Sequence, residues 1–165
     1  MTAHSLTWAN ITAPTWTLAS RASDTNLLAG RESAAVALDG FLDVLAAGKV
    51  TAGTSPTAAR RIEIYAIGTL DVTPTWPDVF DGTDSDETIT SADIKRAICR
   101  HVAIIGTSNT SDRTYPWGPV SLAGVFGGVI PSDVIFFLTH NTGVNLNSSA
   151  GNHALYLTGV AGDSQ

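Results

Sequence analysis

The densest run of groups able to do chemistry is Asp81-Gly82-Thr83-Asp84-Ser85-Asp86-Glu87. Oxygen ligands two and three residues apart in a glycine-containing loop suit calcium, with Asp81, Asp84 and Asp86 as the candidate ligands. Their order is not that of an EF-hand loop. The plainer reading is a solvated acidic loop whose last residues cap a helix beginning near Ser91. Paired carboxylates can also hydrolyse a glycosidic bond, but two loop aspartates without an aromatic platform are weak support for it.

Other reactive side chains are scattered. His4, His101, His140 and His153 have no short-spaced pair on one predicted element, so the usual zinc-ligand spacings are absent. No Gly-x-Ser-x-Gly elbow, phosphate loop or Cys–His signature occurs. Cys99, on an expected strand, reads as a small core residue rather than a nucleophile. Trp16, Trp76 and Trp117 could line a sugar-binding surface, but their Pro and Thr neighbours suit plugs at the end of a sandwich better. The expectation is a non-enzyme with no catalytic residue and no cofactor, calcium at the acidic loop being the one ion the pattern admits.

Composition narrows the class. Charged residues are 15% of the 165, below the roughly 25% typical of soluble domains, so Thr, Ser, Asn and Gly carry the polar surface. That suits an ordinary neutral-surfaced β-domain, and equally a surface buried against neighbouring chains. Net charge is −6, and Asp71, Asp78, Asp81, Asp84, Asp86, Glu87 and Asp93 fall in one stretch without Lys or Arg. The remainder is close to neutral and holds no basic patch, which argues against nucleic acid as a partner. A single cysteine excludes an intrachain disulfide framework and fits synthesis in a reducing cytoplasm. The start, Met1-Thr2-Ala3-His4-Ser5, lacks signal-peptide character, and no apolar run approaches the ~20 residues of a membrane helix.

The elements that must position these groups are strands. In Arg60–Leu70, Ile62, Ile64, Ala66 and Leu70 alternate with Arg61, Glu63, Tyr65 and Thr69, the period of a half-buried strand. Residues 34–51 are read as another strand, since Gly40 penalises a helix by about 1 kcal/mol. It is expected to pair antiparallel with residues 60–70 through a loop over 48–58. Residues 19–33 read as an irregular connection, and 71–90 as a long loop with Val79-Phe80 as a hydrophobic plug. A short helix is expected over residues 91–96, then a strand in which Ile98, Val102 and Ile104 alternate with Cys99, His101 and Ile105. Tyr115-Pro116-Trp117-Gly118-Pro119 can form only an edge segment or turn. Val134-Ile135-Phe136-Phe137-Leu138 reads as a strand covered on both faces, and residues 154–160 as the last strand. The sum is an all-β jelly-roll or Greek-key sandwich of about seven to nine strands with one short helix. Residues 1–33 are expected to form an N-terminal arm and edge strands, and residues 34–165 a single sandwich domain.

Three stretches carry a family resemblance: Leu18-Ala19-Ser20 through Glu32-Ser33, Pro77-Asp78-Val79-Phe80-Asp81-Gly82-Thr83 through Ser91-Ala92-Asp93-Ile94-Lys95, and Thr139-His140-Asn141-Thr142-Gly143-Val144-Asn145-Leu146-Asn147. Together they resemble small virion structural proteins encoded beside the capsid genes of tailed bacteriophages, especially phages of marine bacteria. The resemblance implies a decoration or cement protein on the phage head, with the major capsid protein and copies of itself as partners. A trimer is the expected assembly, since head decorations commonly occupy local three-fold axes and closed cyclic symmetry suits them. Subunit or capsid contacts are expected at Trp8, Trp16, Arg21, Phe136 and Leu138. The alternative is a carbohydrate- or receptor-binding module of a head fibre or tail, and a virion-associated hydrolase is a third reading.

Overall fold

The computed structural model describes residues 4–71 and 73–164. Its strands are β1 (His4–Ile11), β2 (Ala29–Glu32), β3 (Val36–Ala37), β4 (Asp43–Thr51), β5 (Arg60–Thr69), β6 (Asp86–Thr88), β7 (Arg100–Thr107), β8 (Thr114–Ser121), β9 (Asp133–His140) and β10 (Ala154–Ser164). Helix α1 spans Ala92–Ile98, and α2 is a single turn, Leu122–Val125. One sheet, A, has the order β1-β10-β4-β8. The other, B, has the order β6-β2-β9-β5-β7, with β3 continuing the line of β2 along β9. Neighbours in both sheets are antiparallel. Without the short β3 and β6, two four-stranded sheets remain whose chain crosses repeatedly from one to the other. This is a jelly roll.

Why the chain crosses over is legible in β5. Ile62, Ile64 and Ala66 enter the core between the sheets with Val134, Phe136 and Leu138 of β9 and Val44, Ala46 and Val50 of β4. The alternate residues Tyr65 and Ile67 enter a second apolar cluster outside sheet B, with Ile135 and Phe137 of β9 and with Phe80, Ile89 and Cys99. Helix α1 and the segment before it supply the cover, with Trp76, Ile94 and Ile98 packed against this second cluster. The continuous apolar run of β9 is therefore buried on both faces, as its sequence demands. Phe80 plugs the outer cluster, meeting Phe137 edge-on at 5.3 Å between ring centres.

Five expectations fail here. Residues 34–51 are not one strand: β3 belongs to sheet B, the chain turns at Gly40 (φ +86°), and β4 belongs to sheet A. β4 pairs with β10 and β8, whereas β5 pairs with β7 and β9, so no hairpin joins them. The polar face of β5 is buried beneath α1, Glu63 at 4% exposure, while Leu70 lies past the strand end and is 82% exposed. The connection expected over 19–33 ends in β2, an interior strand between β6 and β9. Finally, α1 extends through Ile98, and Ser91 is its N-cap, its side chain accepting from the Ile94 N–H at 3.2 Å.

Candidate functional site

The acidic loop does not gather its carboxylates around a common point. Asp84 accepts from Arg31 Nε at 2.7 Å and from the Thr17 hydroxyl at 2.5 Å. Asp86 pairs with Arg21 at 2.7 Å and with Arg31 at 3.1 Å. Asp81 accepts from the backbone N–H and hydroxyl of Thr83, two residues on. Burial works to raise the pKa of Asp84, but Arg31 and Thr17 outweigh it and hold the carboxyl below the usual range. Among the described residues, no three His, Cys, Asp or Glu side chains converge as a metal site requires. The loop is closed by arginines, which sequence spacing alone could not show because Arg21 and Arg31 come from a segment some fifty to sixty-five residues earlier.

The expected contact residues separate sharply. Trp8 is 64% exposed on β1. Trp16 is half-buried, its indole N–H donating to the Arg31 carbonyl and its ring 6.0 Å from that of Phe136. Arg21 has a mostly buried side chain, held by Asp86. Phe136 and Leu138 are fully buried in the core between the sheets. That corrects their assignment as subunit contacts, since strand alternation turns both toward sheet A. Trp117 fills the same core, Trp76 packs on the outer cluster, and burial pushes the Cys99 thiol up to about 12.

Among the described residues two surfaces stand out from the internal packing. The first is the outer face of sheet A. In the β1–β10 register Leu6 and Trp8 lie opposite Gly162 and Val160, so they share a face with Tyr156 further along β10. Leu6 is 65% exposed, Trp8 64% and Tyr156 59%, and Leu42, whose N–H donates to the Val160 carbonyl, is exposed beside them. Strand β1 is an edge strand, and every residue from Ser5 to Asn10 is exposed.

The second is a groove of about 670 Å³ outside sheet B, between the turn at Asn26–Leu28, helix α1 and strands β5 and β7. Its floor is a buried ionic cluster. Glu63 accepts from Lys95 Nζ at 2.7 Å, from the Tyr65 hydroxyl at 2.6 Å and from Arg61 Nε at 2.5 Å. Lys95 also donates to the Leu27 carbonyl at 2.6 Å and stands 4.7 Å over the Tyr65 ring. Burial tends to raise the Glu63 pKa, but the donors from Lys95, Tyr65 and Arg61 outweigh it and keep the carboxyl below its ordinary value. Tyr65, desolvated and bonded to that carboxylate, is driven far above the ordinary phenol range. The alternation of Arg61, Glu63 and Tyr65 was visible in sequence; their cover by Lys95 from a helix thirty-odd residues later was not.

No protein-family profile matches this sequence. No curated protein matches it either. Among solved structures the chain is similar to one described as the structure of infectious bursal disease virus Gx strain, with a TM-score of 0.42 and 10% identity. That similarity covers 96% of this chain and 32% of the viral one, so the chain spans about a third of its length. Among the described residues no helix is long and apolar enough to cross a membrane.

Proposed function

We propose that this chain is a non-enzymatic structural protein of a virion, a decoration or cement protein that attaches to the capsid through the outer face of sheet A. The observation that carries the reading is the asymmetry of the sandwich. In sheet B, β5 and β9 are covered on both faces, whereas among the described residues sheet A leaves Leu6, Trp8 and Tyr156 on its outside without cover. An apolar surface of that kind marks an interaction site in a soluble protein. Jelly rolls serve capsids, lectins and cupins alike, so the face supports this reading where the fold alone does not. The low charged fraction and the resemblance to phage head proteins agree with it.

The test is attachment to purified phage heads that lack the protein. Wild-type chain is expected to co-sediment with them, and Trp8→Ser with Tyr156→Ser to weaken attachment about tenfold or more, as loss of interface anchors does. Equal attachment by the double variant, or none by the wild type, overturns the reading. The groove on sheet B favours a second role, binding of a small ligand.

A further inference from the structure

We propose that the groove outside sheet B is a binding site for a small ligand that carries a carboxylate on a hydroxyl-rich ring, an acidic monosaccharide in chemical class. The charge balance is the first argument. Of the chain's nine basic residues three, Arg61, Lys95 and Arg96, line this one groove, against one of its fifteen acids, Glu63. Two cations share the Glu63 carboxylate, and Arg96 has its own partner in Asp93. The cluster therefore keeps one uncompensated positive charge in a protein whose net charge is −6. One negative charge neutralises it, which favours a carboxylate over a dianionic phosphate.

Geometry names the group that receives it. Lys95 is 8% exposed and held by the Glu63 carboxylate and the Leu27 carbonyl, so it fixes the floor and does not reach out. Among the described residues Arg61 is bonded through Nε only, and its side chain is 51% exposed, which leaves its two terminal nitrogens for the ligand. Two parallel N–H groups match the two oxygens of a carboxylate. The volume, about 670 Å³, exceeds what a bare anion fills and lies in the range of small-molecule sites. Leu28 and the 59%-exposed Ile104 supply apolar wall for a ring face, and Asn26 and His101 supply polar groups for hydroxyls. Glu63 acts as a positioning residue, orienting Arg61 without touching the ligand.

Titration calorimetry with D-glucuronate, D-glucose and acetate tests this. Glucuronate is expected to bind saturably, and glucose and acetate at least about tenfold more weakly, since each lacks one half of the recognition. Arg61→Gln is expected to weaken glucuronate about tenfold or more while the melting temperature holds, and Arg113→Gln, outside the groove, to change nothing. Absence of saturable glucuronate binding overturns the site, as does binding indifferent to Arg61→Gln. Glucose binding equally well removes the carboxylate from the assignment, and acetate binding equally well removes the ring. Head attachment uses the other sheet, so Arg61→Gln is expected to leave it intact and the two proposals fail separately.

Discussion

Glu63 shows how much one buried carboxylate can organise. Its three donors come from β5 itself and from α1, so the ion pair with Lys95 locks the helix onto the sheet. Removing one partner of a buried pair leaves the other charge without compensation, at about 3–5 kcal/mol. Lys95→Met and Glu63→Leu are each expected to cost about that much in urea unfolding, and the double variant less than either. Additive losses would sink the idea that the two act as a pair. Two further buried groups set the pH response, and they oppose each other. Glu32 is wholly buried, and burial raises its carboxyl from 4.5 to about 7 against the backbone N–H groups of Gly82 and Asp81. The folded state therefore holds a proton that the unfolded chain loses above 4.5, and stability falls as pH rises from about 4.5 to 7. His140 is likewise buried, and desolvation lowers it from 6.5 to about 4, with Nε2 3.1 Å from the Arg21 carbonyl. Here the unfolded chain holds the extra proton, so stability rises with pH over about 4 to 6.5, and His153, also lowered by burial, adds to the rise. At ~1.4 kcal/mol per pKa unit the two slopes are each worth about 3 kcal/mol and largely cancel. Wild-type urea midpoints are expected to be nearly flat between pH 5 and 6.5, to rise with pH in Glu32→Gln, and to fall in His140→Gln. A Glu32→Gln profile with the wild-type shape would show that the carboxyl titrates normally.

At the scale of elements, close strand approach is enforced by particular glycines. A Cβ on Gly30 of β2 would lie 2.3 Å from the Leu138 carbonyl oxygen and 2.4 Å from the Phe137 ring, whereas one on Gly106 of β7 meets nothing within 4 Å. Gly30→Ala is thus expected to cost about 1–3 kcal/mol and Gly106→Ala well under 1, read as a difference in melting temperature. Equal losses would mean that β2 can shift away from β9. Neither close approach is written in the local sequence, and the same holds for other elements that the sequence misplaces. Strand type was legible where alternation or a continuous apolar run extended over five or more residues, as in β5 and β9. Proline placed β8 at an edge for a sound reason, since its missing N–H is tolerated there. Parity failed in β7, where Ile64 faces Ala103 and Tyr65 faces His101, leaving Val102 as an extra residue. That bulge turns Ile105 inward and Ile104 outward, the reverse of the simple alternation. Pairing failed for β4 and β5 because nearness in sequence suggests a hairpin, while a jelly roll sends the chain to the opposite sheet. The groove was beyond sequence reading for a related reason: its parts come from β5, α1, β7 and the turn before β2, and only the fold brings them together.

For the molecule as a whole, the decisive feature is that its two sheets are finished differently. Outside sheet B, α1 and the segment before it bury Tyr65, Ile67, Ile135 and Phe137, so that side already resembles an interior. Outside sheet A none of the described residues performs that service, and β1 adds an open edge. Its residues Ser5 to Ile11 contain neither a charge nor a proline, the usual devices that keep an edge strand from pairing. A free monomer with such an edge is prone to associate, and a closed ring of copies would be one way to bury it. Trp8→Lys places a charge in the middle of that edge. Because Trp8 is 64% exposed, the substitution is expected to change folding stability by no more than about 0.5 kcal/mol. If sheet A is the attachment face, the same variant loses self-association by light scattering, trimer passing to monomer, and loses head binding with it. A wild type that stays monomeric at high concentration and on heads would remove the need for β1 as an interface. Retained assembly in Trp8→Lys would move the interface to a surface other than the one the uncovered sheet marks.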